Sequence, residues 1–159
     1  MSKIERADWG FLVPATFIWV VSLAVTVWDF VWLQGMVYRF GVVGAAGLIL
    51  FVAGVSLRAV GKRTLQKSYS YFLKAGQRKP LVTHGVYRFI RHPIYLAAIL
   101  YNLGAPLIFS STYGFLVMLG FIPCILYRIG VEERMLIQEF GDEYLEYKKH
   151  TKKLIPYVY

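Results

Sequence analysis

Arg88, Arg91, His92 and Tyr95 crowd into one short run, Tyr87-Arg88-Phe89-Ile90-Arg91-His92-Pro93-Ile94-Tyr95, at the start of a long apolar segment. Fixed cations, an imidazole and phenols are the groups that grip an anion and orient a proton. A second charged cluster, Glu132-Glu133-Arg134, also abuts an apolar segment. A carboxylate at the edge of hydrocarbon is costly unless it has a partner or a task. Two polar clusters at the ends of neighbouring apolar segments read as two walls of one site.

Pro93 suits the first turn of a helix, where its missing N–H costs nothing, and this places His92 at the cap. The open N–H groups there favour an anion, and Arg88 and Arg91 bring charge to the same region. Snorkelling to head groups is the plainer use of those arginines, and hydrogen bonding at the cap is the plainer use of His92. Glu132 lies one helical turn from Arg128, and Glu133 shares a stripe with Leu136 and Phe140, so one carboxylate is expected to face inward. Arg128 and Arg134 are candidates to pair with an anionic acceptor, and Glu133 is a candidate proton acceptor. Asp29, between Trp28 and Trp32, sits in an interfacial belt, and Cys124 reads as packing.

The elements that must position these residues are apolar. The chain has 159 residues, one domain's worth, of which 57% are hydrophobic, and its mean hydropathy is +0.50. Phe11–Val27, Gly41–Leu57 and Pro93–Tyr127 carry no charge. A bilayer core needs roughly 20 apolar residues per helix. The expected fold is all-α and polytopic, with four transmembrane helices at about 11–33, 37–60, 93–109 and 113–129. The first is too long for a signal peptide, whose apolar core is about 7–15 residues. Gln34-Gly35-Met36 would join the first two as a hairpin. Gly41, Gly44, Gly47 and Gly54 mark a face for close helix packing in lipid.

Nine Lys or Arg and no Asp or Glu lie between Arg58 and Arg91, so this loop holds the whole net charge of +9. Positive charge marks the cytoplasmic side, which places residues 58–92 and both termini there. Within the loop, Leu65, Tyr69, Phe72 and Leu73 recur at helical spacing and suit an interface-lying segment. Charges tethered at a bilayer attract anionic lipid and argue against nucleic acid as a partner. Leu136, Phe140, Tyr144 and Tyr147 repeat at helical spacing, giving a cytoplasmic C-terminal helix over 131–153 that Pro156 stops.

The stretch Leu81-Val82-Thr83-His84-Gly85-Val86-Tyr87-Arg88-Phe89-Ile90-Arg91-His92-Pro93-Ile94-Tyr95 resembles the cofactor motif of the isoprenylcysteine carboxyl methyltransferase and phospholipid methyltransferase superfamily. Glu132-Glu133-Arg134-Met135-Leu136, with Phe140-Gly141, Tyr144, Tyr147 and Leu154-Ile155-Pro156 after it, is similar to that family's second motif. His84, Ala97-Ala98 and Lys153 depart from the residues common there.

The resemblance implies an integral-membrane methyltransferase that uses S-adenosylmethionine and releases S-adenosylhomocysteine. It implies a cofactor site lined by His84, Gly85, Tyr87, Arg91, His92, Pro93 and Tyr95, completed by Glu132 and Glu133. Catalytic roles then fall to Glu132, Glu133, Arg128 and Arg134, with no metal. The acceptor is expected to be lipophilic and membrane-borne, first an isoprenylcysteine-type carboxylate. A phospholipid amine, a small thiol, or a noncatalytic lipid-binding role on the same fold are the alternatives.

Overall fold

The computed structural model describes residues 3–38, 41–69 and 81–155. Among them six α-helices follow one another: α1 (Lys3–Trp28), α2 (Val42–Tyr69), α3 (Pro93–Ile108), α4 (Thr112–Leu119), α5 (Phe121–Phe140) and α6 (Asp142–His150). The end of α1 widens into a π-helical turn, Asp29–Leu33, and a 3-10 turn, Gly85–Arg88, precedes α3. No strand forms among the described residues; Ile90 and Lys152 make an isolated parallel bridge. Trp9–Leu33, Val42–Leu65 and Thr112–Phe140 are long and apolar enough to cross a membrane, and Pro93–Ile108 is apolar but shorter. Phe17, Ile49 and Leu116 are exposed on these helices, an outer surface suited to lipid rather than water.

Small residues decide which helices pair. A Cβ on Gly104 would stand 2.6 Å from the Gly47 carbonyl oxygen, and one on Gly47 would stand 2.6 Å from the Ile108 nitrogen. Backbones meet directly there, so α2 packs along α3, while α1 packs on α4 and α5. The hairpin expected of the first two spans is therefore not the principal pairing. The small-residue face of α2 is used on α3, where close approach maximises dispersion contact in lipid.

Three boundaries also differ from the sequence reading. The second span starts at Val42 rather than Val37. Gly35 and Met36 take positive φ, and the Gln34 amide donates to the Phe109 carbonyl at 3.1 Å, which holds the connection as a turn. The fourth span and the tail are not divided near residue 130. The helix bends at Gly120, then α5 runs on through Gly130 to Phe140. The break comes at Gly141, whose φ of +58° suits a residue without a Cβ. The last helix stops at His150, short of residue 153 and Pro156, because the chain then turns extended to pair with the motif before α3. Part of the expected interfacial segment, Phe72 and Leu73, lies outside the described residues.

Ala15, Ala98, Ile99, Met118, Phe121, Ile125, Ile129 and Leu154 form the core, which joins α1, α3, α4 and α5 to the C-terminal stretch. This core sets the start of α3 against the end of α5.

Candidate active site

The C-terminal stretch straps the motif before α3 into place. Arg91 N donates to the Lys152 carbonyl at 2.8 Å, His92 N to the Lys153 carbonyl at 3.1 Å, and Lys152 N to the Phe89 carbonyl at 3.3 Å. Tyr147 OH donates to the Tyr87 carbonyl at 2.6 Å. Pro93 opens α3 and His92 is its N-cap residue, as the sequence implied. Backbone groups of residues 87–92 that the 3-10 turn and α3 leave open thus find their partners on α6 and the segment after it.

One carboxylate collects the charge. Glu133 Oε1 accepts from Arg91 Nε at 3.0 Å, and His92 Nε2 stands 3.5 Å from the same oxygen, within electrostatic reach but without hydrogen-bond geometry. Lys148 Nζ lies 3.5 Å from Oε2. Both members of the Arg91–Glu133 pair are buried, with side chains 7% and 8% exposed. Arg91 does a second job: its Nη1 donates to the carbonyls of Lys148 and Thr151, the last turn of α6 and its cap. Guanidinium at a helix C-terminus satisfies open carbonyls and opposes the negative end of the dipole.

Glu132, one residue earlier, faces a different group. Its Oε2 accepts from Tyr95 OH at 2.5 Å, and Arg128 is close enough to act electrostatically on the same phenol. The buried Tyr87 feels Glu132 as well. Glu132 and Arg128 are only partly buried, in contrast to Glu133. The two adjacent carboxylates therefore divide: Glu133 closes an internal ion network, and Glu132 borders accessible space beside two phenols and a cation.

Of the residues the sequence singled out, Tyr87, Arg91, His92, Pro93 and Tyr95 come together with Glu132, Glu133 and Arg128. His84 and Gly85 are exposed; Gly85 lies against Thr64 of α2. Arg134 is exposed and takes no part in the described contacts of either cluster. Arg88 turns away, its guanidinium 4.9 Å from the centre of the Phe89 ring. It borders an open groove of about 490 Å³ between residues 81–88 and the outer face of α6.

Lys148 and Thr151 were not legible as site residues, although Tyr144, Lys148 and Thr151 repeat at the spacing of one helical face. Burial pushes the Tyr147 phenol up to about 12, and burial with the nearby Glu133 charge pushes Tyr144 higher still. Both phenols therefore stay protonated near neutral pH. Tyr144 OH and His92 Nε2 are buried with no hydrogen-bond partner among the described residues.

The family model for the isoprenylcysteine carboxyl methyltransferase family matches residues 47–138. Protein-S-isoprenylcysteine O-methyltransferase A of Arabidopsis thaliana is 32% identical over 117 residues, covering 70% of this chain and 58% of that protein. The Saccharomyces cerevisiae protein-S-isoprenylcysteine O-methyltransferase is 33% identical over 116 residues, covering 70% of this chain and 48% of its own. The chain thus spans about half the length of the curated relatives it matches. The solved structure of the eukaryotic intramembrane Ras methyltransferase superposes with a TM-score of 0.72 at 24% identity, covering 90% of this chain and 52% of the other. That likeness establishes the fold.

Proposed function

The chain belongs to the isoprenylcysteine carboxyl methyltransferase family, and on that premise we propose that it transfers a methyl group from S-adenosylmethionine to the carboxylate of a prenylated cysteine. The observation that carries the reading is the junction of the 87–95 motif with Glu132 and Glu133, joined by the Arg91–Glu133 and Tyr95–Glu132 contacts.

The site's own chemistry fits such a cofactor. Arg91 and Lys148 face the single charge of Glu133, and His92 Nε2 and Tyr144 OH make no hydrogen bond among the described residues. Excess positive charge and open donors suit a ligand that ends in a carboxylate. Tyr87, Arg91, His92, Pro93, Tyr95, Glu132 and Glu133 are the residues that would hold the cofactor, with His84 and Gly85 at its outer edge. When bound, S-adenosylmethionine supplies an electrophilic methyl group.

Arg128, one turn before Glu132, pairs with the acceptor's carboxylate. A carboxylate is already a nucleophile and needs no base, so Glu132 serves to orient and to balance charge through Tyr95. The apolar walls of α3 and α5 exclude water from the reacting atoms. In this reading α3 is the third of four spans, tilted or set in a locally thinned bilayer, since its 16 residues cover only about 24 Å. Residues 58–92, α6 and both termini face the cytoplasm, following the basic loop.

The test is methyl transfer from radiolabelled S-adenosylmethionine by purified protein in lipid nanodiscs. Farnesyl-cysteine, phosphatidylethanolamine and a small aliphatic thiol are offered in parallel. Label in a base-labile ester of farnesyl-cysteine supports the proposal. Label only in the amine or thiol reassigns the acceptor, and no label with any acceptor despite cofactor binding favours a noncatalytic role.

A further inference from the structure

Arg58 belongs to neither cluster; it is the first cation of the second apolar helix, Val42–Leu65, where the apolar run gives way to the basic loop. A fixed cation there needs a partner or a purpose. Its Nη1 donates to Tyr101 OH on α3 at 3.0 Å, and its guanidinium carbon sits 5.7 Å from the centre of the same ring. No carboxylate among the described residues pairs with it. Phe51 meets the Tyr101 ring edge-on at 6.4 Å and so helps fix the phenol from the other side.

A fixed partner on the neighbouring helix separates this arginine from one that simply reaches for the membrane surface. A Cβ on Gly54 would stand 2.6 Å from the Tyr101 nitrogen, so the Tyr101 backbone is level with Gly54, one helical turn before Arg58. α3 runs antiparallel to α2, so the Tyr101 side chain leans back toward the level of Arg58, as helical side chains lean toward their own N-terminus, and the guanidinium meets the phenol there. Its target is a phenol oxygen that acts as acceptor, which leaves the phenol's own proton available to donate. Guanidinium N–H groups and one O–H therefore converge with no anion between them. Both residues are only partly buried, on a seam between two helices whose outer faces are apolar.

We propose that Arg58 and Tyr101 form a binding site for the anionic head group of an amphiphile lying along the α2–α3 seam. The recognised chemistry is a carboxylate or phosphate oxygen next to an apolar chain: guanidinium supplies charge and paired donors, Tyr101 a third donor, and the seam a bed for the chain. Two sources offer that chemistry, an acidic phospholipid and an acceptor with a free carboxylate. The site stands on its own geometry and does not depend on the methyl-transfer reading.

The experiment measures the thermal unfolding midpoint of the full chain in nanodiscs. One arm compares pure phosphatidylcholine with phosphatidylcholine containing phosphatidylglycerol. Another adds N-acetyl-farnesyl-cysteine, whose one charge is its carboxylate, or its uncharged methyl ester to the phosphatidylcholine discs. The wild-type chain should gain about 3 °C or more from an anionic ligand and less from its partner lacking net charge. Arg58→Gln should lose that difference, and Tyr101→Phe, which keeps the ring, should lose part of it. A gain confined to phosphatidylglycerol assigns the site to lipid; one confined to N-acetyl-farnesyl-cysteine assigns it to an acceptor. Equal gains in wild type and both variants, or no anion-dependent gain in wild type, overturns the proposal. Should Arg58→Gln fail to fold, Tyr101→Phe alone decides between these outcomes. Absence of methyl transfer would leave this result untouched.

Discussion

Glu132 and Glu133 are neighbours in sequence but face separate partners, Tyr95 OH at 2.5 Å for the first and Arg91 Nε at 3.0 Å for the second. Their exchange for glutamine should therefore have opposite signatures. Glu133→Gln leaves Arg91 and Lys148 without their counter-charge in a buried place, and should cost about 3 kcal/mol of stability by thermal unfolding. Glu132→Gln should leave the unfolding midpoint nearly unchanged and lower kcat/KM roughly 10- to 100-fold, the worth of a hydrogen bond to a charged group. Equal stability losses in the two variants would contradict this division.

Arg91 serves the frame as much as the site, because it joins Glu133 to the last carbonyls of α6. Lysine keeps the charge but lacks the planar fork that reaches both. Arg91→Lys should cost about 2 kcal/mol and speed amide hydrogen exchange across residues 142–153 ahead of the rest of the chain. Uniform exchange in wild type and variant would show that the strap is held by other means.

The contact between Gly47 and Gly104 sets how near α2 and α3 approach. Gly104→Val places atoms where the other backbone already lies, and should cost at least about 3 kcal/mol, the upper range for overpacking. Gly130→Ala is the control: a Cβ there meets nothing within 4 Å, so the change should be neutral or stabilise by up to about 1 kcal/mol. Both are read from unfolding midpoints in one detergent.

Much of this was written in the chain. The apolar spans, the Pro93 helix start and the meeting of the 87–95 run with Glu132 and Glu133 follow from composition, local sterics and two motifs. What escaped was tertiary choice. Span two carries its small residues on a face that any neighbour could use, and only three dimensions select α3. Gly130 and Gly141 look alike in sequence, and neither meets a neighbour within 4 Å, yet one continues a helix and the other ends it at positive φ. Lys148 and Thr151 were missed, since nothing local shows that Arg91 reaches their carbonyls.

Tyr147 gives a pH signature. Burial raises its phenol from 10.0 to about 12, so folding favours the protonated form. Its contribution is whole below pH about 10 and declines as pH climbs toward 12. The gap in unfolding midpoint between wild type and Tyr147→Phe should be constant from pH 7 to 9 and shrink above 10. A gap that widens with pH would mean that the phenolate is the bound form.

Ultraviolet crosslinking of methyl-labelled S-adenosylmethionine to the intact chain in nanodiscs, followed by peptide mapping, bears most directly on whether the two clusters form one site. The expected result is saturable labelling within residues 84–95 or 128–148, abolished by excess S-adenosylhomocysteine and weakened by Glu132→Gln. Absence of saturable labelling, or labelling confined to peptides outside both ranges, would contradict it.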